Sequence, residues 1–259
     1  MAAASHVSAV TPGRVLALRT AIVVAVLALW EAVAESGLLF RDVVPSLAAI
    51  GRALGRTLAS ADFYANLGVT LGEIGVALAI GGLAGLAVGI LLGGSRFLSR
   101  AYEPFVYYLG PTPKIIFFPV MIMWFGVGSG SKIAMGALSC FFPIVISTAA
   151  GMRGIDVTLI KVGRSFRASA WQMATKIYVP AMRAPIVNGV RLGLGVAIIG
   201  TLLAETKLSN KGIGYLIIQS YSTFDMPRMY ALLIVLFVLA IGANAVIGRL
   251  GRGTTRRFA

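Results

Sequence analysis

The sequence predicts an all-α integral membrane protein, with about six transmembrane helices forming a single domain. At 58% hydrophobic and only 12% charged residues, with a mean hydropathy of +0.89, the chain is too apolar for a soluble domain of 259 residues. Its apolar runs are about 20 residues long, the length of helix that crosses a hydrocarbon core, whereas barrel strands would alternate over roughly 10 residues. Its basic residues are concentrated in the short segments between those runs. The net charge of +14 and the pI of about 10.6 therefore read as orientation signals and contacts with anionic membrane lipid, and no nucleic-acid partner is expected.

Residues 1–14 are small and polar and are expected to form a flexible cytoplasmic N-terminus. The transmembrane domain follows over 15–250, opening with a span from about Leu18 to Ser36. Its end, Ala32-Val33-Ala34, resembles a signal-peptidase site, but a chain beginning at Met1 is read as keeping this helix. Next, Leu47, Ile50 and Leu54 recur at near-helical spacing beside Arg52 and Arg56, in a segment that opens with Arg41 and Asp42. This predicts an interfacial helix on the outer side, entered through Pro45 and capped by Ser46. The second span, about Leu67 to Leu92, sets Gly81, Gly85, Gly89 and Gly93 at steps of four, with Gly68 and Gly72 ahead of them. Such a stripe lets another helix approach to backbone distance; a share in a substrate passage is the other reading. Arg96 and Arg100 then mark a short inner loop.

The third span, about Pro104 to Gly126, is broken by Pro111 and Pro113, with Lys114 directly after them. A lysine at that depth either faces a wet cavity or a partner, or snorkels to the nearer interface. The first reading makes Pro111, Pro113 and Lys114 candidates for a translocation pathway. Gly126 to Lys132 reads as an outer turn; it lacks the Gly-Lys-Ser/Thr ending of a phosphate loop, so no nucleotide site is expected. The fourth span, about Ile133 to Ala150, has Pro143 as a kink. The fifth, about Ile186 to Ala204, carries Asn188 and Arg191. After it, Glu205 at the membrane edge is a further pathway candidate, and Gly212 and Gly214 open a re-entrant or outer-face segment. The sixth, about Met229 to Gly248, leads to a basic cytoplasmic tail over 251–259. The lone Cys140 and lone His6 exclude an intrachain disulfide and a histidine-rich metal site, and no nucleophile-base pair stands out. No enzymatic chemistry, metal or cofactor is expected in this chain.

Between the fourth and fifth spans lies a basic elbow, Gly151 to Pro185, with Arg153, Lys161, Arg164, Arg167, Lys176 and Arg183 against one acid, Asp156. Each such cation would cost about 2.5–3.5 kcal/mol near the centre of a bilayer, which places the elbow outside it on the cytoplasmic side. Six spans with both termini cytoplasmic put Arg14, Arg19, Arg96, Arg100 and the tail on that side too, leaving the outer loops poorer in Lys and Arg. Asp156 and Ser169 are N-cap candidates for two short helices, the second stopped by Pro180. With Phe166 and Trp171 near its tip, the elbow either offers an aromatic anchor to the groove of a soluble partner or lies in the headgroups as an amphipathic loop.

The elbow resembles the EAA loop of the permease subunits of bacterial ABC importers, with its Glu-Ala-Ala start, a Gly four residues on, and a closing Ile-x-Leu-Pro. Ile177, Val179 and Pro180 match the close, and Ala168, Ser169, Trp171 and Ala181 fit residues usual in the family. The start departs: Lys161 stands where Glu is usual, Val162 and Gly163 replace the two Ala, and Arg167 takes the Gly position. VVPS (43–46), PTPKI (111–115), WFGVG (124–128), FFPI (141–144) and Ala204-Glu205 followed by GIGYLI (212–217) are, in that order, similar to the nitrate, sulfonate, taurine and bicarbonate branch of those permeases.

That resemblance implies a type I ABC-importer permease fold in the bacterial cytoplasmic (inner) membrane. It implies a homodimer with a second copy of the chain, two cytoplasmic ABC ATPase subunits that bind the ATP and Mg, and a periplasmic or lipid-anchored substrate-binding protein. A small, anionic solute would be imported by alternating access. The elbow becomes the coupling helix, with Lys161, Arg164, Phe166, Arg167, Ala168, Ser169 and Trp171 as coupling residues, Arg164 and Arg167 among them as electrostatic guides. Lys114 becomes the group that attracts the anion. An ion-coupled secondary transporter is the competing class; it would need intramembrane carboxylates, and the spans hold few, with Glu31 and Glu73 near ends and Glu205 at an edge.

Overall fold

In a medium without water, a backbone satisfies its N–H and C=O groups only inside helices or closed sheets, and every regular element among the described residues is a helix. The structure, a computed structural model, describes residues 12–37 and 43–255. The expectations for residues 1–11, for Arg41 and Asp42, and for residues 256–259 lie outside the described residues. The helices are α1 (Pro12–Ser36), α2 (Leu47–Leu58), α3 (Ala61–Gly94), α4 (Arg96–Leu109), α5 (Phe118–Phe125), α6 (Ser129–Arg153), α7 (Val157–Ser165), α8 (Ala170–Met173), α9 (Val179–Lys207), α10 (Ile213–Ser222) and α11 (Met226–Thr255). A 3₁₀ turn, Lys114–Phe117, leads into α5, and a π turn, Ala174–Tyr178, joins α8 to α9. Among the described residues, five helical segments are long and apolar enough to cross a membrane. The pair α4 and Lys114–Phe125, bent by 94° at its break, makes a sixth crossing if taken as one. The predicted all-α membrane fold is the observed one.

α3, α6 and α9 form the centre of the bundle. α3 and α6 meet along the glycine stripe. A Cβ on Gly85 would stand 2.9 Å from the Phe141 carbonyl oxygen and one on Gly89 2.9 Å from that of Val145, closer than side-chain carbons come to backbone oxygen. Gly68 and Gly72 face open space, so the stripe that packs begins at Gly81. Cys140, Ile144 and Ala197, all fully buried, fill the seam between α6 and α9. At the elbow end, Leu92, Val106, Phe142, Val145 and Ala149 join α3, α4 and α6. At the opposite end, Phe63, Leu202, Ile213, Leu216 and Leu232 join α3, α9, α10 and α11. α1 exposes Leu16, Leu18, Ile22 and Leu29 and is tied to the rest near its end. There Trp30 Nε1 donates to the Pro45 carbonyl at 3.0 Å, its ring meets Tyr230 edge-on, and Glu31 accepts the Leu47 N–H at 2.8 Å. α2 is the expected amphipathic helix, and Ser46 caps it by accepting the Ala49 N–H.

The sequence misplaced several boundaries. Pro180 does not stop the second elbow helix: the π turn before it shifts the bonding by one residue, and Pro180 falls in the first turn of α9, where an N–H is not needed. Ala170–Lys207 therefore runs as one helical segment of 38 residues. Pro185 lies inside α9, its ring packed on Gly151 of α6. Arg96 and Arg100 belong to α4, which Ser95 alone separates from α3 and caps by accepting the Leu98 N–H at 3.3 Å. The turn before α6 is Gly126–Gly128, with Ser129 to Lys132 already helical. α1 already includes Pro12 to Arg14, and α11 continues through the start of the basic tail.

Candidate functional site

The tip of the elbow is built by two caps and one tight turn. Asp156 accepts the Thr158 N–H at 2.7 Å to start α7, and this bond holds its carboxyl below the usual carboxylate range. The cap is therefore intact at neutral pH and is lost as acid protonates it. Ser169 and Gln172 form a reciprocal capping box for α8: Ser169 Oγ accepts the Gln172 N–H at 3.2 Å and Gln172 Oε1 accepts the Ser169 N–H at 2.8 Å. Between them, the Arg167 N–H donates to the Arg164 carbonyl at 2.9 Å and the Ala168 N–H to that of Gly163 at 3.0 Å. This is the Schellman closure of a helix, and it puts Arg167 at φ 51°, the left-handed conformation that favours glycine. The arginine that departs from the family pattern thus keeps the glycine's backbone geometry. Arg167→Gly is expected to stabilise the fold by about 1 kcal/mol by removing that strain, read as a raised midpoint of thermal unfolding in detergent. Gly163, another of the departures, lets α7 lie on Met173 and Ile177, whose side chains a Cβ there would meet.

The tip is not folded back onto the bundle. Phe166 is 83% exposed and Trp171 76%; Lys161, Arg164, Arg167 and Ser169 are exposed and Ala168 half-buried. All seven expected coupling residues therefore gather around one turn, two aromatics among three cations.

The break in the third span lines a cavity of about 280 Å³. Its walls include Pro111, Pro113 and Lys114, Ser139 of α6, and Ile199 and Leu203 of α9. Lys114 Nζ donates to the carbonyls of Gly110 and Thr112, the latter at 3.2 Å, and lies 5.0 Å from the centre of the Phe142 ring. The ammonium thus satisfies carbonyls that the two prolines leave open at the end of α4 while standing, half-buried, in the cavity wall.

Glu205, two residues before the end of α9, does not line this cavity. It is 1% exposed, and its carboxylate accepts the Thr70 hydroxyl at 2.7 Å and the Gly214 N–H at 2.6 Å. Thr70 in turn accepts the Ile213 N–H at 2.8 Å, and Asn66 Oδ1 accepts that of Gly212 at 2.7 Å. Three donors at the start of α10 are thereby satisfied by α3 and α9. Gly212, at φ 106°, and Gly214 are required here, because a Cβ on either would fall against the Glu205 side chain. Glu73, expected near an end, is also buried. Lys132, expected in an outer loop, is 1% exposed and donates to the carbonyls of Val127 and Gly128. The missed signal was periodic: Asn66, Thr70 and Glu73 recur at helical spacing inside an apolar run.

Residues 81–256 match the family described as the binding-protein-dependent transport system inner membrane component. The taurine transport system permease protein TauC of Escherichia coli K12 is 30% identical over 195 residues, 73% of this chain and 70% of its own. SsuC of Bacillus subtilis 168, named for aliphatic sulfonates transport, is 29% identical over 214 residues, 83% of this chain and 78% of its own. The fold matches a solved inward-facing structure of the MetNI methionine ABC transporter with a TM-score of 0.61 at 20% identity, covering 80% of this chain and 97% of that one. A helical bundle with five or six candidate crossings and a protruding basic elbow, the type I importer fold and a family match over most of the sequence agree: the chain belongs to the binding-protein-dependent transport system inner membrane components, the permease subunits of ABC transporters.

Proposed function

We propose that this chain forms half of the membrane passage of an ATP-driven importer. It would act as a homodimer on two cytoplasmic ATPase subunits, fed by a periplasmic or lipid-anchored binding protein. The elbow and both termini face the cytoplasm, as the distribution of Lys and Arg favours. The observation that carries the reading is the tip itself: Phe166 and Trp171 stand out from a doubly capped turn, ringed by Lys161, Arg164 and Arg167. Rigid, exposed aromatics beside cations suit insertion into a groove on a partner. ATP-driven closure of the partner would move the elbows, and the two copies would rock between outward and inward openings.

The solute is a small anion such as nitrate, bicarbonate, taurine or another sulfonate, or a similar organic acid. The names of the relatives and the ammonium of Lys114 in the cavity wall support this class. A unit negative charge 4 Å from that ammonium gains about 4 kcal/mol at a near-surface dielectric.

Co-expression with an ATPase subunit and the binding protein tests both parts. Trp171→Ala should weaken docking by about 2 kcal/mol or more, reducing ATP-driven uptake by roughly 30-fold while the permease remains in the membrane at normal levels. Unchanged uptake would remove the tip from the coupling path. Lys114→Met should lower uptake of the anion by about tenfold if the ammonium meets the solute. Uptake equal to wild type would leave the lysine with its carbonyl-capping role alone.

A further inference from the structure

α4 is a loosely packed leg of the broken span, with Val106 its one buried residue among those described. It is fastened near its middle to the root of the elbow. Arg153, the last residue of α6, donates through both terminal nitrogens to Glu103, at 2.8 Å and 2.6 Å, in a two-pronged ion pair. Ser99, one turn earlier on α4, donates to the same carboxylate. Arg153 stands three residues before Asp156, the cap that starts α7, and Glu103 stands seven before Gly110, where the span breaks. One rigid, charge-assisted contact therefore joins the elbow to the helix whose far end carries the Lys114 cavity.

We propose that the Glu103–Arg153 pair is the link through which the position of the elbow sets the tilt of α4 and hence access to the cavity at the break. The inference rests on the importer reading, in which the elbow is driven by a partner. When the elbow shifts, the end of α6 shifts with it, and Arg153 carries Glu103 along. Val106, held between Leu92 and Phe142, serves as the pivot. The irregular backbone from Gly110 to Pro113 absorbs the rotation, so α5 need not follow. Glu103 and Arg153 are positioning residues: neither lines the cavity or the exposed tip.

The test uses the full permease assembled with its ATPase subunit and carrying Ile199→Cys, an exposed site in the cavity wall; the buried Cys140 does not compete for reagent. Labelling by a water-soluble maleimide is timed without nucleotide and with ATP, magnesium and vanadate. The rate should differ by at least about fivefold between the two states in the otherwise native chain. Glu103→Gln and Arg153→Gln should each shrink that difference to less than about twofold while ATP hydrolysis by the complex is retained, and the exchanged pair Glu103→Arg with Arg153→Glu should restore it. Single variants that keep the full difference overturn the link, and so does an exchanged pair that fails to restore it. An otherwise native complex whose labelling ignores nucleotide would instead sink the importer reading itself.

Discussion

Gly89→Leu is expected to prevent this permease from reaching a stable fold. α3 and α6 are held at a distance that only hydrogen on Cα allows: the new Cβ would lie 2.9 Å from the Val145 carbonyl oxygen and against the side chain of Thr148. Backbone oxygen on a packed helix cannot rotate away as a side-chain end can. The helices must separate, opening the seam around Ile144 and Ala197 that centres the bundle. Overpacking of a well-filled core costs about 1–3 kcal/mol, and a leucine forced between two backbones belongs at or above the upper end. Size-exclusion chromatography in mild detergent should show the monodisperse peak lost. Gly72→Leu, on the same helix but facing open space, supplies the control and should leave it intact. Equal behaviour of the two variants would show that the stripe is not what sets the helix spacing.

The second large effect is expected at Glu205. Glu205→Ala removes the acceptor of the Gly214 N–H and of the Thr70 hydroxyl, both buried where water does not reach. Each buried donor left unpaired costs about 1–3 kcal/mol, so the loss should be on the order of 3–5 kcal/mol, or roughly a 10 °C fall in the thermal midpoint. Glu205→Gln retains one acceptor oxygen and should fall between. Gly214→Ala should approach the alanine variant, because its Cβ would displace the same carboxylate. If Glu205→Ala instead unfolds normally and loses only uptake, the residue acts on the solute path and not on the fold.

These two sites mark where sequence reading reached and where it failed. The glycine stripe was legible because four-residue spacing is a local property of one helix, although nothing local distinguished Gly85, which packs, from Gly72, which does not. The elbow was legible for the same reason: Asp156 and Ser169 cap their helices through residues two and three positions away. Glu205 was misread. Its partner Thr70 sits on another helix, 135 residues away in the chain. Its place in the sequence, just after an apolar run, suggested an edge.

Proline shows the same division. Pro111 and Pro113 broke their span as their chemistry requires, yet the 94° angle between the two legs depends on how α4 and α5 each pack on α6. Pro180 broke nothing, because the π turn ahead of it removed the clash that a proline makes with a regular helix.

What the sequence determined by itself is everything set by solvent and by neighbours within a turn: that the chain lives in a bilayer, about how often it crosses, and where its basic elbow starts and turns. Hydrocarbon admits no other backbone, and caps act over three residues. What only the tertiary structure decided is which polar groups are consumed inside the bundle and which stand free. Glu205 is held by Thr70 of a distant helix and Glu73 and Lys132 are buried in the bundle, while Phe166 and Trp171 stay exposed. A buried charge is tolerated only where helices remote in sequence bring it a partner, and that meeting is a property of packing in three dimensions.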